Sequence, residues 1–239
     1  KAPRRRTSAS HGTVYWTKLQ TMPSVPRVIQ AGHNLKLSVM QALADVPREA
    51  LVPDGSRHTA YDNRLLPIRQ RQTISQPHIV VLMTDLLDLT PDDQVLEIGT
   101  GCGYQTAVLA ALTSEIFSVE YLEDLHRSAK VRLTDLGCRN IRFSQGDGWQ
   151  GWPEHAPYDA VIVTAAAARI QDRLKEQLAP GGRLLVTAGR KHGTQFLRES
   201  SVHQTEPSTK SAVCQWPSRR WSKTTKIIRV FHAKIGGRP

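Results

Sequence analysis

The stretch Asp93–Tyr104, DQVLEIGTGCGY, constrains the fold of this chain more than any other. Val95-Leu96-Glu97-Ile98 is an apolar run too short for a helix and is bounded by the turn residues Pro91-Asp92-Asp93, so a strand is expected. Gly99, Gly101 and Gly103 follow at alternate positions, and Gln105–Leu112 returns at once to helix formers. Strand, glycine turn and helix in that order open a βαβ unit of the nucleotide-binding kind. Lacking a Cβ, the glycines let the backbone turn sharply and let a ligand approach it closely.

The spacing is GxGxG and not the dinucleotide GxGxxG, which separates two ligand classes. Glu97 lies in the motif, and a second acid, Glu120, ends the next apolar run, Ile116–Val119. It falls about twenty residues on, where an acid accepts both hydrogen bonds of a ribose diol. This pattern resembles the class I S-adenosylmethionine-dependent methyltransferases, whose first motif runs acid-x-Gly-x-Gly-x-Gly. The resemblance implies S-adenosyl-L-methionine as cofactor, held by Glu97, Gly99, Gly101, Gly103 and Glu120.

Successive βα units with short Gly and Pro turns imply a parallel sheet, an α/β doubly wound Rossmann-like fold with helices on both faces. Strands are expected near 95–98, 116–120, 141–144, 159–164 and 183–187, with the ligand outside their carboxyl ends. Gly99, Gly101, Glu120, Asp147 and Gly148 all fall at such ends.

A net charge of +11 suggests nucleic acid until it is divided along the chain. Residues 1–36 carry seven Lys or Arg and no acid, and residues 190–239 carry eleven against two. Residues 37–189 carry fourteen against nineteen, so the compact part is acidic and the ends are basic. No aromatic-basic motif of a nucleic-acid module accompanies those ends, and nucleic acid is not expected as a partner. Cys102, Cys138 and Cys214 show no ligand spacing, which argues against a disulfide framework and against a metal. No apolar run reaches membrane-spanning length and the N-terminal residues lack a signal-type segment, so a cytoplasmic monomer is expected.

Three segments are expected: a loosely ordered basic arm over 1–34, a catalytic domain over 35–196 and an atypical basic tail over 197–239. Val25–Ile29 is a candidate start of an amphipathic helix. Leu35, Leu37, Val39, Met40, Leu43 and Val46 recur at helical spacing up to Pro47, predicting a helix that packs as a lid or flank. Residues 61–78 read as mostly irregular, and a helix is expected over Ile79–Leu89 with Pro77 near its start. Thr73-Ile74-Ser75 therefore precedes a helix N-terminus, where backbone N–H groups favour an anion. Taken alone, Ser75 reads as an N-cap or turn serine.

Gln72-Thr-Ile-Ser-Gln-Pro-His78 ahead of the glycine motif resembles the protein-L-isoaspartate (D-aspartate) O-methyltransferase family. Val46-Pro-Arg-Glu49, Leu51-Val-Pro53, Ala60-Tyr61, Gly146-Asp147-Gly148, Ala156–Ala167 and Leu178–Val186 extend the likeness over about residues 39–196. It implies that Thr73, Ile74, Ser75 and His78 lie near the cofactor, that Asp147 and Gly148 meet its adenine end, and that Ser75 is the catalytic residue. His78 also reads as a structural histidine early in a helix. Arg69 and Arg71 stand where the family usually has glycines; they narrow the substrate mouth, bind an acidic peptide or spoil a needed turn. Beyond Gln195 the likeness fades, and only Lys226–Ala233 reads as a strand.

The implied reaction is methyl esterification of the free carboxylate of L-isoaspartyl residues in damaged proteins and peptides, which starts their repair. Thr164-Ala-Ala-Ala167 offers no polar clamp for an amine acceptor. A carboxylate, with a pKa near 4, is already ionised and needs no general base. Another carboxylate, RNA, or a non-catalytic cofactor-binding module stay open as alternatives.

Overall fold

The computed structural model describes residues 35–167, 171–189, 195–201 and 227–230. The expected basic arm and the helix start at Val25–Ile29 lie outside them. A small antiparallel hairpin, β1 (Leu66–Pro67) and β2 (Thr73–Ile74), precedes the main sheet. That sheet comprises β3 (Gln94–Ile98), β4 (Glu115–Glu120), β5 (Ile141–Gln145), β6 (Tyr158–Ala167), β7 (Leu178–Gly189), β8 (Gln195–Ser201) and β9 (Ile227–Val230). The helices are α1 (Leu37–Asp45), α2 (Pro77–Leu86), α3 (Tyr104–Ala110), α4 (Glu123–Asp135) and α5 (Asp172–Glu176).

The strand order is β5-β4-β3-β6-β7-β8-β9, parallel from β5 to β7 and antiparallel across β8 and β9. From β3 the chain steps outward through β4 to β5, then returns to the other side of β3 as β6 and β7. Right-handed crossovers in opposite directions put α3 and α4 on one face and α5 on the other. All five expected parallel strands are present, and the class of fold is the one expected.

Alternation along β3 sorts the core. Val95 packs with Val39 and Leu43 of α1, Val80 and Met83 of α2, and Val108 of α3. Leu96 and Ile98 face the opposite layer, with Phe117, Val161, Val163, Leu174 and Leu178. Trp149 and Trp152 close that second layer, and Trp152 meets Phe117 edge-on at 5.8 Å between ring centres. α1 is therefore a flank built into the core, with Val39, Leu43 and Ala44 all buried.

Three expectations need correction. Residues 61–78 are more regular than expected, because β1 and β2 pair and the Ile68 N–H donates to the Gln72 carbonyl at 2.8 Å. α2 starts at Pro77 and ends at Leu86, three residues short of Leu89, and Asp88 just beyond it takes a left-handed conformation with φ 51°. Gln195–Ser201 forms strand β8 against the edge of β7, so the sheet continues past residue 196. Ile227–Val230, within the expected strand region, pairs with it as β9.

The turn between β1 and β2 closes despite its arginines, but at a conformational cost. Gln70 and Arg71 both adopt left-handed backbone, φ 58° and 54°, whereas Arg69 does not. Only one of the two arginines thus stands where a glycine's freedom would be used. Left-handed backbone costs a residue with a Cβ about 1 kcal/mol or more. Arg71→Gly should therefore raise unfolding stability by about 1 kcal/mol, and Arg69→Gly should not. Urea denaturation of the two single variants checks this; equal effects would contradict it.

Candidate active site

The glycine turn leaves the carboxyl end of β3 at the point between β3 and β6 where the strand order reverses. Its three glycines do different work. A Cβ at Gly99 would meet Thr164 Oγ1 at 2.8 Å, and one at Gly103 would meet Leu133 Cδ1 at 2.8 Å. Those positions are glycine because the protein itself fills the space. A Cβ at Gly101, where φ is +57°, would meet nothing nearer than Ile68 Cδ1 at 3.7 Å. The open side of the turn is thus at Gly101, a cradle that a side chain would fill and a ligand can enter.

Beneath the turn runs a buried polar ladder. Thr100 and Ser118 hydroxyls meet at 2.7 Å, and Glu97 Oε2 accepts from Ser118 Oγ at 2.7 Å and from Thr106 Oγ1 at 2.6 Å. Thr164 Oγ1 donates to the Gly99 carbonyl at 2.6 Å from the neighbouring strand. Glu97 is wholly buried, and among the described residues its Oε1 has no partner. Burial, opposed by the two hydroxyl bonds and reinforced by the Glu120 charge, pushes its carboxyl from 4.5 up to about 7. Glu97 therefore lies under the turn, and its hydrogen bonds to Ser118 and Thr106 tie β3 to β4 and α3.

Glu120 ends β4 beside the open face. Its Oε2 accepts from the Gly101 N–H at 2.8 Å and its Oε1 from the Leu122 N–H at 3.0 Å. Each carboxylate oxygen keeps a further lone pair, the pattern required of an acceptor for two ribose hydroxyls. Across the carboxyl ends, a Cβ at Gly148 would meet Ile98 Cγ2 at 2.4 Å, so only glycine lets that loop approach β3. Asp147 is held by its own turn, accepting from the Trp149 N–H at 3.1 Å. Tyr121, next to Glu120, is 70% exposed. A large aromatic ring left in solvent beside a ribose-type acid is a face on which a base can stack. Its signal in the sequence was only its adjacency to Glu120.

The segment bearing Ser75 is tied to this turn by a residue that sequence reasoning passed over. Arg48 is wholly buried. Its Nε donates to the Ala60 carbonyl at 2.7 Å and its Nη2 to the Ser75 carbonyl at 2.6 Å, and its guanidinium lies 4.6 Å from the Tyr104 ring centre. Among the described residues Nη1 makes no hydrogen bond, and burial holds the guanidinium below its ordinary range. One cation thus joins the 48–60 segment, the Ser75 segment and the first residue of α3. Arg48 appeared in the sequence only as part of Val46-Pro-Arg-Glu49.

Ser75 is half-buried, and Gln76, not Ser75, is the N-cap of α2, with no side-chain capping bond. The capping reading of Ser75 is therefore wrong. Among the described residues its hydroxyl makes no hydrogen bond. Thr73 is exposed on β2, while Ile74 is 5% exposed, its side chain in the core, so it offers a ligand only backbone. His78 sits at the second position of α2, its Nδ1 2.8 Å from Asn63 Oδ1. Among the described residues no cluster of three metal-ligating side chains occurs, and no helix is long and apolar enough to cross a membrane.

A model of the protein-L-isoaspartate(D-aspartate) O-methyltransferase family matches residues 24–215, beyond both ends of the likeness read from the motifs. A protein-L-isoaspartate O-methyltransferase of Vibrio cholerae is 48% identical over 189 residues, covering 74% of this chain and 91% of the relative. One from Cupriavidus necator is 50% identical over 165 residues, covering 69% of this chain and 64% of the relative. Among solved structures, a protein-L-isoaspartate O-methyltransferase superposes with a TM-score of 0.64 at 25% identity, covering 85% of this chain and 66% of that one. A Plasmodium falciparum structure holding S-adenosyl-L-homocysteine shares the fold, with a TM-score of 0.65 at 18% identity over 93% of this chain and 95% of that one.

The buried acid makes a pH prediction. Between 4.5 and about 7 the folded state holds a proton on Glu97 that the unfolded chain has released. Its contribution to stability is complete below 4.5 and is lost as pH rises through 7, roughly 3 kcal/mol in all. Glu97→Gln keeps an acceptor for Thr106 and Ser118 and removes the titration. The variant should gain on the wild type from pH 5 to about 7 in thermal melts and level off above that. A constant difference across that range would contradict the assignment.

Proposed function

The chain belongs to the protein-L-isoaspartate(D-aspartate) O-methyltransferase family, and we propose that the Gly101–Glu120 cradle seats its donor while Ser75 positions the acceptor carboxylate. As a member of that family it is an S-adenosylmethionine-dependent protein-L-isoaspartate O-methyltransferase, acting on isoaspartyl proteins. When bound, S-adenosylmethionine supplies an electrophilic methyl group carried on a positive sulfonium.

In this reading Glu120 accepts the ribose hydroxyls, Gly101 lets the cofactor lie against the backbone, and Tyr121 with the Asp147–Gly148 turn borders the adenine. Gly99 and Gly103 shape the turn, Glu97 holds it from below, and Thr73, Ile74 and His78 line the approach from the α2 side. The residues fit such a group, because the open face of the turn and the spare lone pairs of Glu120 lie together. The acceptor, already ionised at neutral pH, needs no proton removed, so Ser75 acts by placing it and not as a nucleophile. Opposite charges disappear as the methyl moves, and a site that aligns them while excluding water supplies much of the rate. Arg48 positions the Ser75 segment by holding its carbonyl.

The observation that carries the assignment of Ser75 is its hydroxyl, unengaged among the described residues, on a segment that Arg48 pins beside the glycine turn. We further propose that the enzyme works as a monomer in the cytoplasm and has no nucleic-acid substrate, in line with the acidic balance of residues 37–189. Labelled S-adenosylmethionine offered with an isoaspartyl peptide, its aspartyl twin and RNA tests the reading. Base-labile label on the isoaspartyl peptide alone supports it, whereas label on RNA would contradict it. Because Ser75 caps no helix, Ser75→Ala should change the thermal midpoint little and leave S-adenosylhomocysteine binding intact. Turnover on the isoaspartyl peptide should fall about a hundredfold. Wild-type turnover in that variant would remove Ser75 from the site.

A further inference from the structure

The tip of the β1–β2 hairpin carries features that methyl transfer does not use. Arg69, Gln70 and Arg71 are all exposed. Gln70 Nε2 donates to Asp124 Oδ2 at 2.5 Å, which fastens the tip to the first turn of α4. Gln72 Nε2 also donates to the Gln70 carbonyl at 3.2 Å. The acid nearest to hand is thereby engaged by an amide, and among the described residues neither arginine has an acidic partner. Arg132, held below its ordinary range first by burial, also feels the like charge of Arg69. The tip therefore gathers cations that have no ion-pair partner among the described residues.

Its position matters as much as its charge. Ile68, the residue before Arg69, borders the open side of Gly101, its Cδ1 3.7 Å from where a Cβ at that glycine would stand. On the other side the chain returns through β2 directly into Ser75. Arg71 is four residues from Ser75, a span of about 13 Å in extended chain. An extended peptide whose reacting residue sits at Ser75 covers the same distance in about four residues. The left-handed backbone at Gln70 and Arg71 persists although a glycine would relieve it, which marks a geometry retained for more than stability.

Resting on the assignment of Ser75 as the acceptor subsite, we propose that Arg69 and Arg71 form a specificity arm that recognises acidic side chains three or four residues from the isoaspartyl residue. The arm selects among isoaspartyl substrates by charge and takes no part in the transfer. Exposed pairs of this kind are individually weak and sensitive to salt, so the preference is graded, about tenfold for two acids at low ionic strength.

The test compares three isoaspartyl peptides of one length, with glutamate, glutamine or lysine at the third and fourth positions on either side. The full chain and an R69Q/R71N variant are used, because asparagine tolerates the left-handed backbone. In the wild type, kcat/KM should be about tenfold higher for the glutamate peptide than for the glutamine peptide, and lower again for lysine. Raising salt from 20 to about 500 mM should erase that ratio through screening. In the variant the ratio should fall to near one already at low salt, with a thermal midpoint no lower than that of the wild type. A wild-type ratio near one, a ratio retained in the variant, or a loss confined to S-adenosylhomocysteine affinity would each overturn the proposal. Failure to methylate any of the three peptides would instead strike the proposed activity itself.

Discussion

The structure depends on one constraint: a left-handed glycine turn at the end of β3 must be held rigid on three sides and left open on the fourth. Thr164 closes it from β6, Leu133 from α4, and the Thr100–Ser118–Glu97–Thr106 ladder from below. The fourth side, at Gly101, carries the Glu120 carboxylate on its own N–H. Because every neighbouring element contributes a wall, the reversal of strand order between β3 and β6 becomes a site and not merely a topological feature.

Two buried charged groups show what this rigidity costs. Among the described residues Glu97 is an acid with one oxygen unpartnered, and Arg48 is a cation held by two carbonyls and by Tyr104 with no acid on it. Neither arrangement is what stability alone would select, since an unpaired buried polar atom costs about 1–3 kcal/mol. Both stand where segments distant in sequence must keep fixed relative positions. Glu97 joins β3 to β4 and α3, and Arg48 joins the 48–60 segment to Ser75 and Tyr104.

Much of this was legible in the residues. The glycine spacing, the five parallel strands and the acid at the end of β4 rest on local patterns, alternation and short-range turn chemistry, which a chain displays directly. Arg48 was not legible, because the acceptors that let it be buried, the carbonyls of Ala60 and Ser75, lie 12 and 27 residues away. Strand β8 was not either: QFLRESS shows no clean alternation, and its formation depends on backbone groups offered by the edge of β7. At the hairpin tip the motif suggested two lost glycines, whereas the left-handed positions are Gln70 and Arg71. Which backbone positions are left-handed follows from the register Leu66↔Ile74, a pairing that spacing does not reveal.

The central claim is that Glu120, poised on the Gly101 N–H, holds the cofactor ribose at the open face of the turn. Calorimetric titration of S-adenosylhomocysteine into the wild type and Glu120→Gln tests it most directly, because the variant preserves size and one acceptor. Loss of charge-assisted hydrogen bonds of about 1–3 kcal/mol should weaken binding by roughly tenfold to a hundredfold, with the fold intact. An unchanged dissociation constant in the folded variant would contradict the account.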